Sequence, residues 1–366
     1  MTAIGNTGSD SKTGSTVQDR STSGRDTRPK TSGKLVDLLS TQVFSTCPMS
    51  KGASPSKYLQ EVINVARWSE AAGCHGILVY ADNGIVDPWL VAQSVIQNTE
   101  TIRPLIAVQP VYMHPYTVAK MITSIAFMHG RQVCLNMIAG GFRNDLLALD
   151  DQTPHDERYD RLVEYTTIFR DLLQCRDPVT FEGDYYKVHN LKLQPEIPKD
   201  LIPEILISGS SDAGLNAAQA IGATAIQYPK PPGSDTSDTQ DQSLKTGIRV
   251  GIIARSNSAE AWRIAEERFP QDRMGEITHC LAMKTSDSQW HKQLSQQEER
   301  PAGEDNPYWM RPFHTYKTFC PYLVGSYEEV AQEISAYREM GHSSFILDIP
   351  PSEEELEHIG TVFQSL

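Results

Sequence analysis

The chain is short of several things, and each shortage excludes a class of protein. No stretch approaches the run of roughly 20 apolar residues that a membrane-spanning helix needs. The N-terminus carries no apolar core of the signal-peptide kind, although 39% of the 366 residues are hydrophobic. Positive charge is scarce: 33 Lys and Arg stand against 46 Asp and Glu, a formal net charge of −13. That balance argues against nucleic acid or an anionic membrane surface as a partner. The six cysteines, at positions 47, 74, 134, 175, 280 and 320, form no C-x-x-C pair. A disulfide framework is therefore not expected, and the usage is that of a reduced cytoplasmic protein. The ten histidines show no H-E-x-x-H or comparable ligand spacing, and no metal site is expected. Residues 1–33 have almost no aliphatic side chains and read as a disordered tail.

From Lys34 onward, short apolar runs alternate with helical patterns. Strand candidates open at Leu35, Gly76, Pro104, Gln132, Glu204, Ala223, Ile248 and Ser344. They are non-alternating, as parallel strands covered on both faces are. Helices are expected over Pro55–Ala72, Pro88–Gln97, Thr117–His129, Glu157–Leu173, Ala213–Ile221, Ser258–Phe269, Tyr327–Met340 and Glu353–Ser365, with a β-hairpin at Val179–Leu193. Eight βα units in one domain, 34–366, predict a (β/α)8 TIM barrel with insertions. A doubly wound open sheet is the alternative; the absence of G-x-G-x-x-G after the first strand counts against its dinucleotide-binding form. Two polar stretches, 229–245 and 286–306, interrupt the pattern. Loops of that length read either as mobile lids or as plain surface insertions.

The chemistry is concentrated in two motifs. In Thr153-Pro154-His155-Asp156-Glu157-Arg158-Tyr159, His155 and Tyr159 stand four apart at a helix start, hence on one face. In the second, the apolar run Glu204–Ser208 enters Gly209-Ser210-Ser211 and then a helix. Hydroxyls, free N–H groups and the positive end of a helix dipole make that turn a ready phosphate site. On the residues alone, His155 reads better as a helix cap, because Thr153-Pro154 already announces a helix start.

In this order and spacing the two motifs resemble the flavin site of the bacterial luciferase-like monooxygenases, most closely the alkanesulfonate monooxygenase branch. The resemblance runs from about Lys34 to the end and takes in Gly140, Phe181-Glu182-Gly183, Val188, Gly209-Ser210-Ser211-Asp212, Gly247-Ile248-Arg249 and Leu323-Val324-Gly325. It implies a barrel, a homodimer or homotetramer, that takes reduced FMN from a separate flavin reductase. It also implies use of O2 through a flavin peroxide to oxygenate an organic metabolite, either free or bound to a carrier protein.

Carried over residue by residue, the resemblance assigns Ser210, Ser211 and Tyr159 to the flavin phosphate and His155 to the ribityl chain or ring edge. Asp82 and Asn136 fall beside the ring, and Arg249, with Asn136, falls among the catalytic groups. Plainer readings stand beside these. Asp82-Asn83-Gly84 is ordinary turn chemistry, Asn136 is a core amide that needs partners, and Arg158 reads as a surface or salt-bridge residue. Arg249 within a strand requires an anion, whether substrate, peroxide or a structural carboxylate.

The chain also departs from the sulfonatase pattern. It has Gly251 in place of a histidine, Asp348-Ile349-Pro350-Pro351 in place of a tyrosine turn, Thr315-Tyr316-Lys317-Thr318 in place of Arg-Gly-Gly, and Gly84-Ile85-Val86 in place of a cysteine turn. The flavin half of the site is retained and the sulfonate half is not, so an alkanesulfonate is not the expected substrate. Arg311, His314, Tyr316 and Lys317 are candidates for a rebuilt pocket. A non-catalytic flavin-binding relative and a deazaflavin-dependent oxidoreductase are the alternative functions.

Overall fold

A computed structural model describes residues 41–232, 244–285, 294–295 and 306–366. Eight parallel strands form its centre: β1 (Gln42–Thr46), β2 (Gly76–Val79), β3 (Arg103–Val108), β4 (Cys134–Met137), β5 (Glu204–Ser208), β6 (Thr224–Gln227), β7 (Thr246–Arg255) and β8 (His342–Leu347). Each pairs with the next, and β8 returns to pair with β1. The sheet is therefore a closed barrel, and the open doubly wound alternative is excluded. The tail 1–33, the run before residue 41 and most of the two polar stretches lie outside the described residues.

The connecting helices start where local chemistry starts them. Pro88 opens Pro88–Gln97, and Asp87 caps it by accepting from the N–H groups of Trp89 and Leu90. Ser326 and Glu329 form a reciprocal capping box at the head of Tyr327–Glu339. The expected hairpin is present as Val179–Glu182 against Lys187–Leu191. No described helix is long and apolar enough to cross a membrane.

Several elements were not anticipated from the sequence: helices Arg143–Ala148, Arg273–Thr285 and Arg311–His314, and strands Tyr308–Trp309 and Tyr322–Ser326. The last has a clear cause. β7 is ten residues long, and its second half, Gly251–Arg255, projects past the barrel and would present an open edge. Tyr322–Ser326 pairs with that overhang in parallel, and Tyr308–Trp309 pairs with its far side.

Inside the barrel, Phe44, Leu78, Leu105, Cys134, Leu206, Ile226 and Ile346 pack as one buried cluster drawn from β1–β6 and β8. Side chains along a strand return to the same face every second residue. Two residues further on stand Thr46, Tyr80, Ala107, Asn136, Ser208, Tyr228 and Asp348. Arg249 faces the same way from β7, being in register with the inward Ile346, and lines the same cavity as Tyr80 and Asn136. An apolar layer is thus capped, toward the C-terminal ends of the strands, by a polar one.

Candidate active site

The polar layer is the floor of a cavity of about 280 Å³. It opens at the end of the barrel where the strands finish, the end that carries the active sites of such barrels. Tyr80, Ala107, Asn136, Ser208, Tyr228 and Arg249 line it from below. All seven residues singled out from the sequence, Asp82, Asn136, His155, Tyr159, Ser210, Ser211 and Arg249, are among its walls.

At one end, β5 runs into helix Asp212–Ile221. Ser211 is the N-cap and accepts from the Gly214 N–H at 3.2 Å. The N–H groups of Asp212 and Ala213 precede the first intrahelical acceptor. Tyr159 lies against this turn, beside the Ser211 side chain. Burial pushes its phenol above the ordinary range, against the pull of the Ser211 hydroxyl and of the Arg158 charge. A Cβ on Gly209 would stand 2.5 Å from the Tyr159 hydroxyl, so only glycine lets the phenol reach the helix start. Three hydroxyls and the head of a ten-residue helix therefore converge on one corner, a donor set that suits a phosphate.

Two readings of the neighbouring helix need correction. The N-cap of His155–Gln174 is Pro154, with no side-chain cap, so His155 is not the cap that its sequence context suggested. Its Nδ1 lies 2.6 Å from the Asp156 carboxylate and its ring stands edge-on to Tyr159, which turns Nε2 to other use. Arg158 is not a surface residue: it is 2% exposed, because it shares the buried stripe with Leu162 and Tyr165.

On the floor, the Ser208 hydroxyl donates to Asn136 Oδ1 at 2.9 Å. With that oxygen engaged, the Asn136 amide N–H groups remain for a ligand, and no described residue accepts from them. Asp82 both lines the cavity and makes a turn, its Oδ1 accepting from the Gly84 N–H at 2.7 Å. The turn is tied across the rim, since Asn83 donates to the Asp145 carbonyl and accepts from the Tyr112 hydroxyl. Burial, and then the Asp82 charge, hold the Asp145 carboxyl above its usual range.

Arg249 is 8% exposed and lies between the rings of Tyr80 and Phe319, at 5.0 and 6.0 Å from their centroids. Its Nη2 donates to the Tyr80 hydroxyl and stands 4.0 Å from Asp348 Oδ1. Its Nε has no hydrogen-bond partner among the described residues. The structural carboxylate considered for this arginine is therefore present, but beyond hydrogen-bonding distance.

Two of the departures from the sulfonatase pattern, Gly251 and the Asp348 turn, have a common explanation. A Cβ on Gly251 would stand 2.3 Å from the Tyr322 ring. That ring fills the space of the missing side chain, and its hydroxyl donates to Asp348 Oδ2 at 2.7 Å. Of the four candidates for a rebuilt pocket, only Tyr316 reaches the cavity, on a backbone with φ of 57° that few residues other than glycine adopt. Lys317 pairs with Asp272, Arg311 with Glu266, and His314 lies against Phe313 and His279.

A family model described as luciferase-like monooxygenase matches residues 41–344. The chain belongs to the luciferase-like monooxygenase family. Its activity class is accordingly that of a flavin-type monooxygenase, as the family resemblance implied.

Among curated relatives, BtrO of Niallia circulans is 34% identical over 316 residues, spanning 85% of this chain and 92% of that protein. It is a 4-(gamma-L-glutamylamino)butanoyl–BtrI acyl-carrier protein monooxygenase. Among solved structures, a long-chain alkane monooxygenase superposes with a TM-score of 0.68 at 14% identity, over 90% of this chain and 92% of its own. The oxygenating constituent of the 3,6-diketocamphane monooxygenase of Pseudomonas putida, in complex with FMN, gives 0.63 at 16% identity, over 89% and 96%. At such identities these structures speak to the fold.

Sequence reasoning overlooked Tyr80, Ser208 and Tyr228. Their signal was positional: each is two residues past an inward apolar residue, at or beyond the end of a strand. Tyr80 closes an apolar run and so read as its last core residue.

Proposed function

We propose that this protein uses reduced FMN, delivered by a separate flavin reductase, and O2 to oxygenate an acyl chain carried on an acyl-carrier protein. The observation that carries the reading is one cavity with a phosphate-suited corner at one end and a half-matched guanidinium at the other. Gly209 supports the fit: it is the absence of a side chain there that brings Tyr159 to the helix start. When bound, reduced flavin supplies the two electrons that activate O2. The protein's own residues do the rest. Ser210, Ser211, Tyr159 and the helix head hold the phosphate; His155 through Nε2 holds the ribityl chain; Asn136 and Asp82 meet the ring edge. Tyr228, Tyr316 and Phe319 keep water from the reacting end, and Arg249 stabilises negative charge that develops on oxygen. The carrier-bound substrate follows the activity of the relative that is 34% identical. The changed sulfonate half of the site agrees with it.

Two measurements test this reading. Anaerobic titration should show reduced FMN bound more tightly than oxidised FMN. Turnover under isotopically heavy O2, with a reductase and an acyl-carrier protein loaded with an amino-acyl chain, should place one heavy oxygen on the acyl group, read by mass spectrometry of the intact carrier. Tight retention of oxidised FMN with no heavy product would leave a flavin-binding protein without catalysis. Preference for a deazaflavin would make it an oxidoreductase of a different kind.

A further inference from the structure

We propose that Tyr80 is a catalytic residue of this oxygenation, giving a proton to the oxygen that leaves as water and taking one back from the substrate. The proposal rests on the flavin-monooxygenase reading above and adds a group that reading did not need. Tyr80 follows β2 at an inward position and walls the cavity. Its phenol oxygen accepts from Arg249 Nη2, so its own O–H must point elsewhere. Among the described residues no acceptor meets that O–H, and the cavity offers the place for one. The ring is fixed from two sides, by the guanidinium at 5.0 Å and by the Phe319 ring edge-on at 6.2 Å.

What lies behind Arg249 matters as much. The nearest carboxylate, Asp348, stands 4.0 Å from Nη2, and its other oxygen is engaged by the Tyr322 hydroxyl. The guanidinium is thus not captured by a close carboxylate, and its charge remains free to stabilise a phenolate. In the overall reaction, RH + O2 + reduced FMN gives ROH + FMN + H2O. The O–O bond breaks, a C–O bond forms, the flavin loses two electrons, and the second oxygen must be protonated to depart as water. Tyr80 supplies that proton. The phenolate, held by Arg249, is reprotonated by the proton that the substrate releases, so the residue ends as it began.

Tyr80→Phe keeps the ring and its packing and removes only the O–H. Reduced-FMN affinity and melting temperature should be unchanged, KM should be unchanged, and kcat should fall about 100-fold, within the range of general acid–base contributions. Reduced flavin would still be consumed, with hydrogen peroxide replacing product.

A second readout uses the flavin-free protein. The tyrosinate absorbance that wild type has and Tyr80→Phe lacks reports the titration of this one phenol. Arg249→Met should move that titration to higher pH, because it removes the neighbouring positive charge. Full product yield from Tyr80→Phe would overturn the proposal. So would a lowered melting temperature with yield intact, or a Tyr80 titration indifferent to Arg249→Met. Failure of wild type to bind reduced FMN would instead overturn the reading beneath it.

Discussion

The two ends of this barrel both carry polar side chains in close groups, yet one end is matched internally and the other is not. At the N-terminal end, Gln42, His75, Arg103 and Glu204 stand at the mouths of β1, β2, β3 and β5. Gln42 donates to Glu204 at 2.8 Å and accepts from Ser344, His75 lies 3.4 Å from Glu204, and Arg103 Nη1 lies 2.9 Å from His75 Nε2. His75, Cys134 and Glu204 could offer metal-ligating atoms within 4.8 Å of one another. The Arg103 guanidinium, 4.0 Å from Glu204 and 2.9 Å from His75 Nε2, already brings a positive charge to that group. At the C-terminal end the Asn136 amide, the Arg249 Nε and the Tyr80 O–H have no partner among the described residues. Buried polar groups are normally paired, so the donors left over at the C-terminal end are available to a ligand, whereas the partly exposed N-terminal group is a plug whose members match one another across the strands.

The largest expected break in this contrast comes from Arg249→Met. Loss of a preorganised charge at a reacting oxygen lowers kcat by about 100-fold or more, whereas reduced-FMN affinity by anaerobic titration should stay within about twofold, the phosphate corner being untouched. Equal loss of binding and turnover would place Arg249 on the structural side of the comparison.

The Ser210→Ala, Ser211→Ala double variant separates the corner from the fold. Each hydrogen bond to a charged phosphate is worth roughly 1.5–3 kcal/mol, so reduced FMN should bind about tenfold more weakly or worse. Loss of the Ser211 cap costs about 0.5–2 kcal/mol, which the barrel should survive. An unchanged affinity with a lowered melting temperature would make this turn a helix cap only.

Glu204→Gln probes the opposite end and should be the mildest. Turnover should be unchanged, and the melting temperature at neutral pH should fall by no more than about 3 °C, since partly exposed ion pairs contribute little. The informative readout is its pH dependence. The hydrogen bond with His75, helped by that from Gln42, holds the Glu204 carboxyl down from 4.5 to about 2 against the effect of burial. A depressed carboxyl stabilises the fold above its unfolded value, and that contribution disappears as pH falls from about 4.5 to 2. Glu204→Gln should flatten the melting curve in that window.

The loss between pH 6.5 and about 4 should remain. It comes from His279 and His342, both held down to about 4 chiefly by burial, which the unfolded chain protonates first. A wild-type profile with no slope below pH 4.5 would remove Glu204 from the plug.

Legibility in the sequence followed chemistry rather than position. Ser210, Ser211, His155 and Tyr159 were singled out because a helix start and a four-residue spacing are visible locally, and the family resemblance then implied their place on a flavin. Arg249 was found because a charge inside an apolar strand is anomalous wherever it occurs. Tyr80 was missed because parallel strands buried on both faces carry no alternation, so the inward residues could not be told from the outward ones. Arg158 was misplaced because a lone arginine in a charged helix start reads as solvated until the buried stripe is seen. The strand Tyr322–Ser326 was missed because its partner is the overhang of a strand whose true length no local pattern revealed.

By itself the sequence determined the number of βα units, the approximate positions of the helices and each of the two motifs taken singly, because each depends on residues near one another along the chain. Only the tertiary structure decided that β8 returns to β1, which residue parity faces inward, and that the polar row above the apolar layer forms a single floor. It alone showed that Tyr322 stands where Gly251 leaves room and holds Asp348 in place beside Arg249. Those are facts of closure and register, set by contacts between residues tens to hundreds of positions apart.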